Sequence, residues 1–396
     1  MNSIQKINFK NKKVLIRVDF NVPLDEAFKV TDDTRIRAAK RTILKVLKDG
    51  GCCILMSHLG RPSFQDPQFS LAHIVSELEN VLGINVLFSD QCVGEAPTQL
   101  AKTLKPGQVL LLENLRYHKE ETTGGLEFAK QLSSLADFYI NDAFGTAHRA
   151  HASTTVVAQF FPNAKCFGFL LNKEIESIDK VMKSGKKPVL AILGGAKVSS
   201  KITIIENILD KIDHLIIGGG MSFTFIKAQG GQIGDSICEE DKQDLALQIL
   251  ELAAQKQVKV HLPLDVLAAD DFSPTANTKV VDIHCIPKGW QGLDCGPKTK
   301  AVFHKVVQQS QTILWNGPLG VFEMEPFSTG TIALGDAIAE ATNNGSFSLV
   351  GGGDSVAAVK QFGFDTKVSY VSTGGGAMLE SLEGKTLPGI AAMSTY

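Results

Sequence analysis

The amino-acid sequence predicts an α/β protein with two domains, each built around a parallel sheet. Short apolar, β-branched runs alternate with amphipathic segments of about ten or more residues, which is typical of strands joined by crossover helices. The alternation stops once, around residues 170–188, and then restarts. A chain of 396 residues is also long enough for two or three domains.

In the first half, KKVLIRVDFNV predicts a strand and RIRAAKRTILKVLKDGG a helix that ends at its glycines. The alternation continues with the strands CCILMSH, NVLF, QVLLLEN and FYINDAF and with helices over 71–82, 94–104 and 124–135. The charged amphipathic segment LLNKEIESIDKVMKSGKKP predicts one helix that ends near Gly185 and Pro188. We interpret this helix as the connector between the domains.

The second half predicts a further α/β domain. Its strands are PVLAILGG, HLIIGGG, VKVHLPLDVLAA, TILWNG, FSLVGGG and KVSYVSTGGG, and its helices cover 198–210, 221–229, 239–256, 298–308, 329–342, 354–362 and 377–383. Ligands of open parallel sheets bind at the carboxyl ends of strands. Residues with chemical roles are therefore expected where these strands end.

Composition excludes several classes of protein. No apolar run approaches the roughly 18 residues of a membrane helix, and MNSIQKINFKNKK lacks the apolar core of a secretory signal. The seven cysteines show no metal-site spacing, which predicts reduced thiols in the cytoplasm. A net charge of −2 with a basic excess in residues 1–61 favours a small anionic ligand over nucleic acid.

Glycine clusters follow four strands of the second half: GGAK, GGG, GGGDS and STGGGA. Glycine permits close approach of a phosphate to the backbone, and a helix N-terminus offers free N–H groups, although any one cluster is also compatible with a tight turn. None matches the P-loop or dinucleotide pattern. Lys197 and Lys201, four residues apart, are expected on one helix face, and Asp354 is either an N-cap or a Mg²⁺ ligand.

Basic residues follow almost every strand of the first half, together with Asp19 and Asn21. Converging guanidinium groups bind phosphate and carboxylate by paired hydrogen bonds, although a single arginine is more often a surface residue. The residues are Arg35, Arg37, His58, Arg61, Arg116, His118, His148, Arg149 and His151. Neither a GxSxG elbow nor an HExxH motif is present, so electrostatic rather than covalent catalysis is indicated.

An ordered set of motifs resembles the phosphoglycerate kinase family: RVDFNVP, SHLGRP, LLENLRYHKEE, NDAFGTAHRAHAS, GGAKVSSK, GGGMSFTF, GLDCGP, WNGPLGVFE, GGGDSVAAV and STGGGA. The resemblance extends from about Val14 to the C-terminal LPGIAAM. It implies two Rossmann-like three-layer lobes with parallel sheets, joined by a helical hinge. The implied divisions are 1–170 plus about 384–396 for a 3-phosphoglycerate-binding domain, 171–187 for the hinge and 188–383 for a nucleotide-binding domain.

The resemblance also implies a reaction. The acyl phosphate of 1,3-bisphosphoglycerate would pass reversibly to Mg·ADP, giving ATP and 3-phosphoglycerate in glycolysis, with Mg²⁺ as cofactor. Hinge closure would bring the substrates together. We expect a cytoplasmic monomer without nucleic-acid or membrane partners.

Individual roles follow only by resemblance. The acid would be bound by Asp19, Phe20, Asn21, Arg35, His58, Leu59, Gly60, Arg61, Arg116 and Arg149. The nucleotide would be bound by Ala196, Lys197, Lys201, Gly219, Gly220, Gly292, Leu293, Asn316, Pro318, Val321, Glu323, Gly352, Gly353, Asp354 and Ser355. Catalysis would depend on Arg35, Lys197, Gly374 and Gly375, and Asp354 would hold the metal.

Two alternatives belong to other classes. A nicotinamide-dependent dehydrogenase with two α/β lobes predicts a GxGxxG fingerprint, which is absent. A two-lobed phosphate-ligand binding protein without activity would need the arginines but not Lys197, Lys201, Asp354 and Glu323 together.

Overall fold

Two six-stranded parallel sheets organise the chain, one in each of two units. In this computed structural model, which describes residues 3–394, the first unit contains the residues up to Ile175 and those from Thr386 onward. The second unit spans Glu176–Lys385. The predicted α/β class with parallel sheets is confirmed. None of the helices within residues 3–394 combines the length and apolar character that a membrane span needs.

The first unit is a parallel sheet in the order β3-β4-β2-β1-β5-β6. Its strands are β1 (Lys13–Arg17), β2 (Cys52–Met56), β3 (Val86–Phe88), β4 (Val109–Leu111), β5 (Phe138–Asn141) and β6 (Lys165–Phe167). Its helices are α1 (Thr34–Lys48), α2 (Val75–Leu82), α3 (Glu95–Thr103), α4 (Lys119–Thr123) and α5 (Leu126–Ser133), and α6 (Phe169–Met182) crosses into the second unit. Strand β2 is buried at every position, as expected for a central parallel strand between two helical layers.

A buried carboxylate caps the start of α6. Asp142, directly after β5, is 0% exposed, and its Oδ1 accepts a hydrogen bond of 3.1 Å from the Leu171 backbone N–H. Its Oδ2 has no hydrogen-bond partner among the described residues. Burial raises the pKa of Asp142 to about 7, against the opposing effect of hydrogen bonds from Thr42 and from the first backbone N–H groups of α6.

Asp142 is therefore expected to make stability depend on pH. The pKa in the folded state lies above the ordinary 3.8, so the contribution of Asp142 to the free energy of unfolding is fully present below about pH 3.8. It is lost as pH rises through about 7. Asp142→Asn cannot ionise, so its free energy of unfolding should not show this loss. Between about pH 4 and pH 8, the difference in unfolding free energy between variant and wild type should shift in favour of the variant by up to about 4 kcal/mol. Urea titration of both proteins across this range tests the prediction, and parallel pH profiles would contradict it.

The second unit is a parallel sheet in the order β10-β8-β7-β15-β16-β17. These strands are β7 (Val189–Leu193), β8 (His214–Ile217), β10 (Lys259–His261), β15 (Thr312–Asn316), β16 (Phe347–Val350) and β17 (Tyr370–Val371). The helices are α7 (Ile202–Ile208), α8 (Met221–Ala228), α9 (Gln243–Gln255), α10 (Pro297–Gln308), α11 (Thr329–Asn343), α12 (Gly353–Gln361) and α13 (Gly375–Leu382).

Smaller sheets of the second unit correct one sequence prediction. The run VKVHLPLDVLAA was expected to form one strand, but it divides into β10 and β11 (Asp265–Ala269), which belong to different sheets. Pro263 lies between them and has no backbone N–H for a sheet hydrogen bond. Strand β11 pairs antiparallel with β12 (Thr278–Asp282) and β14 (Gln291–Cys295), while β9 (Gln232–Ile233) pairs with β13 (Cys285–Ile286).

The C-terminal segment packs on the first unit. Helix α14 (Pro388–Ala391) follows the last residues of the second unit, and the Gly389 N–H donates to the Ala147 carbonyl at 2.8 Å. The Lys165 ammonium donates to the Ala392 carbonyl at 2.9 Å. Met393 is buried in the apolar cluster that contains Tyr139. The first unit is thus completed by residues from the far end of the chain.

Candidate active site

The basic residues of the first unit lie at one edge of its sheet. Asp19, His58, Arg116 and Arg149 follow the neighbouring strands β1, β2, β4 and β5, whose carboxyl ends point the same way because all are parallel. Arg35 lies in the first turn of α1. The acid-binding residues predicted from the sequence are therefore carried by loops on one side of the sheet.

Hydrogen bonds connect three of these loops. The Arg35 guanidinium donates to the Asn21 carbonyl at 2.8 Å and to Asp19 Oδ1 at 3.4 Å. Asn21 Oδ1 accepts from the Gly60 N–H at 2.8 Å, and the Arg116 guanidinium donates to the Gly60 carbonyl at 2.6 Å. Two guanidinium groups, one carboxylate and one amide are thereby held in a single connected arrangement.

Other members of the predicted set differ in their placement. Phe20 and Leu59 are buried; their backbone N–H groups donate to Ser57 Oγ at 2.8 Å and to Asn114 Oδ1 at 3.3 Å, respectively. These two residues shape the loops, and their side chains belong to the apolar core. Arg61 is exposed.

Positive charge is concentrated at this edge. The pKa of His58 lies well below 6.5, first because the ring is buried and then because of nearby guanidinium groups. Burial, followed by the same kind of repulsion, lowers the pKa of Arg116 to about 10. The arginines that act on one or both groups are Arg17, Arg35, Arg61, Arg116 and Arg149. An anion bound here would relieve this repulsion, so the geometry favours an acidic ligand.

The second unit contains a cavity of about 430 Å³ that is mostly apolar and lined by backbone at its glycine loops. This is a typical size for a small-molecule site. From the predicted nucleotide set it is lined by Ala196, Gly219, Gly220, Gly292, Leu293, Pro318, Val321, Glu323 and Asp354. The other predicted residues are Lys197, Lys201, Asn316, Gly352, Gly353 and Ser355, which do not line this cavity.

Lys201 is linked to the loops that follow β15 and β16. Its ammonium donates to Asn316 Oδ1, and Asn316 Nδ2 donates to the Gly351 carbonyl at 2.6 Å. Ser355 Oγ accepts from the Gly317 N–H at 2.6 Å. Burial lowers the pKa of Lys201, and the Asp354 charge opposes this shift. A half-buried ammonium therefore lies beside the glycine loop GGGDS.

The helix-face prediction for Lys197 and Lys201 was wrong. Helix α7 begins only at Ile202, so both lysines precede it, and Lys201 is its N-cap residue. The Lys197 side chain is exposed, in the loop between β7 and α7. The long polar loop separates the two ammonium groups into different environments.

Asp354 is free of the capping role that was one of its two alternatives. It lies within the first turn of α12, whose N-cap is Gly352, and that cap makes no side-chain hydrogen bond. Its exposed carboxylate lines the cavity, and oxygen donors of this kind suit Mg²⁺. No group of three or more His, Cys, Asp or Glu residues that could hold a metal is found within residues 3–394.

Gly374 and Gly375 begin α13 near the same loop. Gly374 is the N-cap, and a Cβ on Gly375 would lie 3.6 Å from the Gly353 backbone nitrogen. The N-termini of α12 and α13 are therefore adjacent, and both offer backbone N–H groups to an anion. The last two predicted catalytic residues thus lie beside the predicted phosphate loop of the second unit.

Comparison with known proteins decides the family. The family model described as phosphoglycerate kinase matches residues 4–385. The chain belongs to the phosphoglycerate kinase family. A phosphoglycerate kinase from Porphyromonas gingivalis is 53% identical, over 99% of this chain and 99% of that protein. A cytosolic phosphoglycerate kinase from Triticum aestivum is 51% identical, over 99% and 98%.

A solved structure supports the same conclusion. The phosphoglycerate kinase from Coxiella burnetii superposes with a TM-score of 0.90 and 43% identity, covering 99% of this chain and 98% of that one. The chain is therefore an enzyme of the phosphotransferase class, with nucleotide and phosphoglycerate as the substrates its family implies. The alternative of a binding protein without activity finds no support in these relatives. Relatives described as cytosolic and as chloroplastic are both about half identical.

Several residues at the candidate site were missed from the sequence. Phe223, Ile237 and Phe272 line the cavity of the second unit, but isolated apolar residues form no pattern that indicates a binding site. Arg17 is fully buried behind the loops that carry the predicted acid-binding residues. Its signal was an arginine as the last residue of an apolar strand, within RVDFNVP.

Gly194 lies where two loops at the cavity of the second unit meet, and we expect Gly194→Ala to disturb both. An added Cβ would lie 2.1 Å from the Pro318 carbonyl oxygen and 2.6 Å from that of Gly317, and neither backbone atom can rotate away. Such overpacking costs about 1–3 kcal/mol. Thermal unfolding should show a lower Tm, and calorimetry weaker ADP binding. Gly353→Ala, where a Cβ meets nothing within 4 Å, is the steric control for Tm; equal Tm losses would contradict the explanation.

Proposed function

We propose that this chain transfers the acyl phosphate of 1,3-bisphosphoglycerate to Mg·ADP, reversibly, giving ATP and 3-phosphoglycerate. The observation that carries the proposal is the division of chemistry between the units. The first unit has a cluster of guanidinium groups suited to an acidic substrate, and the second has a glycine-lined cavity and a half-buried ammonium. The family to which the chain belongs supports the same reaction.

The acid would bind at the edge of the first sheet. Arg61, Arg116 and Arg149 carry the positive charge that a phosphate requires, and bidentate guanidinium contacts match its geometry. The Asn21–Gly60 hydrogen bond holds this loop in place. In that position, Asp19 and Asn21 would accept hydrogen bonds from the substrate hydroxyl. The mutual repulsion of the arginines supports this assignment because an anion would offset it.

The nucleotide would bind in the cavity of the second unit. Glu323, which is exposed at the cavity wall, would accept from ribose hydroxyls, and Lys201 would contact the phosphates. Asp354 would hold Mg²⁺, with the remaining ligands supplied by phosphate oxygens and water. Bound there, Mg²⁺ would neutralise phosphate charge.

The transfer needs no general base from the protein. In the ATP-forming direction the leaving group is a carboxylate, and in reverse the attacking carboxylate is already ionised because its ordinary pKa is about 4. Arg35, Lys197 and the N-terminus of α13 would neutralise the charge on the transferring group. Because the substrates would bind to different units, a closing movement must align them and exclude water from the acyl phosphate.

The remaining assignments complete the proposal. We infer a cytosolic monomer without nucleic-acid partners, in keeping with the net charge of −2 and with the cytosolic description of the wheat relative. Size-exclusion chromatography with light scattering measures the oligomeric state directly. A dimer at micromolar concentration would overturn the monomer assignment without affecting the reaction.

The reaction is tested with the purified chain of 396 residues. ATP should form from 1,3-bisphosphoglycerate, ADP and Mg²⁺, and the reverse reaction should consume ATP only when 3-phosphoglycerate is present. Omission of either substrate is the control. A folded protein that shows no turnover in either direction over several Mg²⁺ concentrations would contradict the proposed function.

A further inference from the structure

Arg17 is an arginine sealed beneath the acid-binding loops. It is the last residue of β1, its exposed fraction is 1%, and it makes hydrogen bonds on several sides. Its Nε donates to Ser153 Oγ at 2.8 Å, one terminal nitrogen donates to the Val18 carbonyl, and the other lies 3.3 Å from His58 Nδ1. A buried side chain with these contacts cannot bind substrate directly, so its effect must pass through its partners.

The donor and the acceptor in the contact between Arg17 and His58 can be assigned. A guanidinium group can only donate hydrogen bonds, so His58 Nδ1 must be the acceptor and cannot carry a proton. In a neutral imidazole the proton then belongs to Nε2. Within residues 3–394, His58 Nε2 makes no hydrogen bond, and it is not a buried atom that lacks a partner. It is therefore accessible as a donor.

We propose that Arg17 is a positioning residue for the kinase reaction: it holds His58 as the Nε2–H tautomer, which leaves that N–H to donate to the anionic acid substrate. This inference rests on the proposed binding role of His58. It assigns His58 the role of a neutral donor among arginines. The neutral ring would supply one hydrogen bond of fixed orientation, while the guanidinium groups supply positive charge.

A buried carboxylate balances the charge of Arg17. Ser153 Oγ accepts from Arg17 Nε and donates to Glu121 Oε1 at 2.6 Å, while the Ser153 N–H donates to Glu121 Oε2 at 3.0 Å. Glu121 is 0% exposed, and His151 Nδ1 lies 3.7 Å from its Oε1. The chain Glu121–Ser153–Arg17–His58 thus runs from α4 to the loop after β2 and fixes the orientation of each member.

Burial and four guanidinium groups disfavour a second proton on the His58 ring, and one nearby carboxylate opposes them. The guanidinium groups of Arg17, Arg35, Arg116 and Arg149 repel it, and burial acts in the same direction. Asp19 is the nearest carboxylate, but its Oδ1 is 4.0 Å from Nδ1, beyond hydrogen-bond distance. The ring is therefore expected to stay neutral across the physiological pH range, so the site keeps one donor geometry throughout.

The tautomer can be observed in the unaltered enzyme. In long-range ¹H–¹⁵N spectra of the full chain labelled with ¹⁵N-histidine, and assigned with a His58→Gln variant, we expect an unprotonated Nδ1 and a protonated Nε2. No titration should occur between about pH 6 and pH 8. A protonated Nδ1, or a ring that titrates in this range, would overturn the proposal. This measurement does not depend on the stability of any Arg17 variant.

Kinetics separate positioning from a purely structural role. In Arg17→Met, we expect the KM for 3-phosphoglycerate to rise at least about tenfold, in line with the loss of one oriented hydrogen bond, while the KM for ATP stays unchanged. The His58 spectrum of this variant should show a protonated Nδ1, because the donor that fixes Nδ1 as the acceptor is gone. Ser153→Ala, which keeps the Arg17 charge, should show a smaller change in the same direction. An equal rise in the KM for 3-phosphoglycerate and the KM for ATP would indicate a structural role and overturn the proposal.

Failure of the underlying binding assignment would look different. If His58→Gln left the KM for 3-phosphoglycerate unchanged, His58 would not bind substrate, even with the Nε2–H tautomer observed by NMR. If His58→Gln raised this KM but Arg17→Met did not alter the tautomer, the binding role would stand and the positioning role of Arg17 would be refuted.

Discussion

Replacing Arg35 by alanine is expected to lower turnover about 10³-fold while ADP affinity stays nearly unchanged. The guanidinium group is held by the Asn21 carbonyl at 2.8 Å and by Asp19 at 3.4 Å, so it is oriented before substrate binds. A positioned cation costs no reorganisation when charge develops on the transferring phosphoryl group. Because Arg35 belongs to the first unit and the proposed nucleotide cavity to the second, ADP binding should not depend on it.

The chain offers a matched control for this experiment. Arg37 lies two residues further along α1 and is largely exposed, with its guanidinium paired to Asp33 at 2.6 Å. Arg37→Ala removes the same charge from the same helix, and we expect it to change turnover less than twofold, as for most exposed ion pairs. Steady-state assays give the turnover numbers, and isothermal titration calorimetry gives ADP affinity.

Two outcomes would contradict the assignment of Arg35. Similar losses for Arg35→Ala and Arg37→Ala would mean that general positive charge, rather than position, matters. A large loss of ADP affinity in Arg35→Ala would mean that the basic cluster of the first unit takes part in nucleotide binding, against the proposed division between the units.

The positions of the proposed acid-binding residues could be predicted because local patterns determine them. Short apolar runs define the strands, and the residues that follow, such as His58 and Arg116, must lie at a carboxyl edge once the sheet is parallel. Strand order was not needed for this conclusion. The phosphoglycerate kinase family could likewise be inferred from motifs, since each is a contiguous run of residues.

Contacts that join distant segments could not be predicted in the same way. The alternation of apolar residues does not distinguish one long strand from β10 and β11, because only pairing partners decide which sheet each joins. A four-residue spacing placed Lys197 and Lys201 on a helix, but the GGAKVSSK loop stays irregular up to Lys201. The Arg17–Ser153 hydrogen bond joins residues 136 positions apart, and no local pattern encodes it.

Replacing Lys201 by methionine is expected to weaken ADP binding by about 10- to 100-fold, the effect of losing one hydrogen bond from a charged group. Its ammonium donates to Asn316 Oδ1, which places the charge beside the GGGDS loop through the Asn316–Gly351 hydrogen bond. Burial lowers the pKa of Lys201 in the absence of ligand, and a bound phosphate would raise it again. ADP binding to the wild type should therefore take up protons at alkaline pH and weaken as pH rises.

Calorimetry in two buffers of different ionisation enthalpy measures both effects. The wild type should show proton uptake above neutral pH, and Lys201→Met should lose that uptake together with the affinity. Lys256→Met, which removes a lysine paired with Asp210 on the surface of the same unit, is the charge-matched control and should change neither.

Lys197→Met should reduce turnover more than ADP affinity, because its exposed side chain lies outside the cavity lining. If Lys197→Met instead lost the affinity and Lys201→Met retained it, the roles assigned to the two lysines would have to be exchanged.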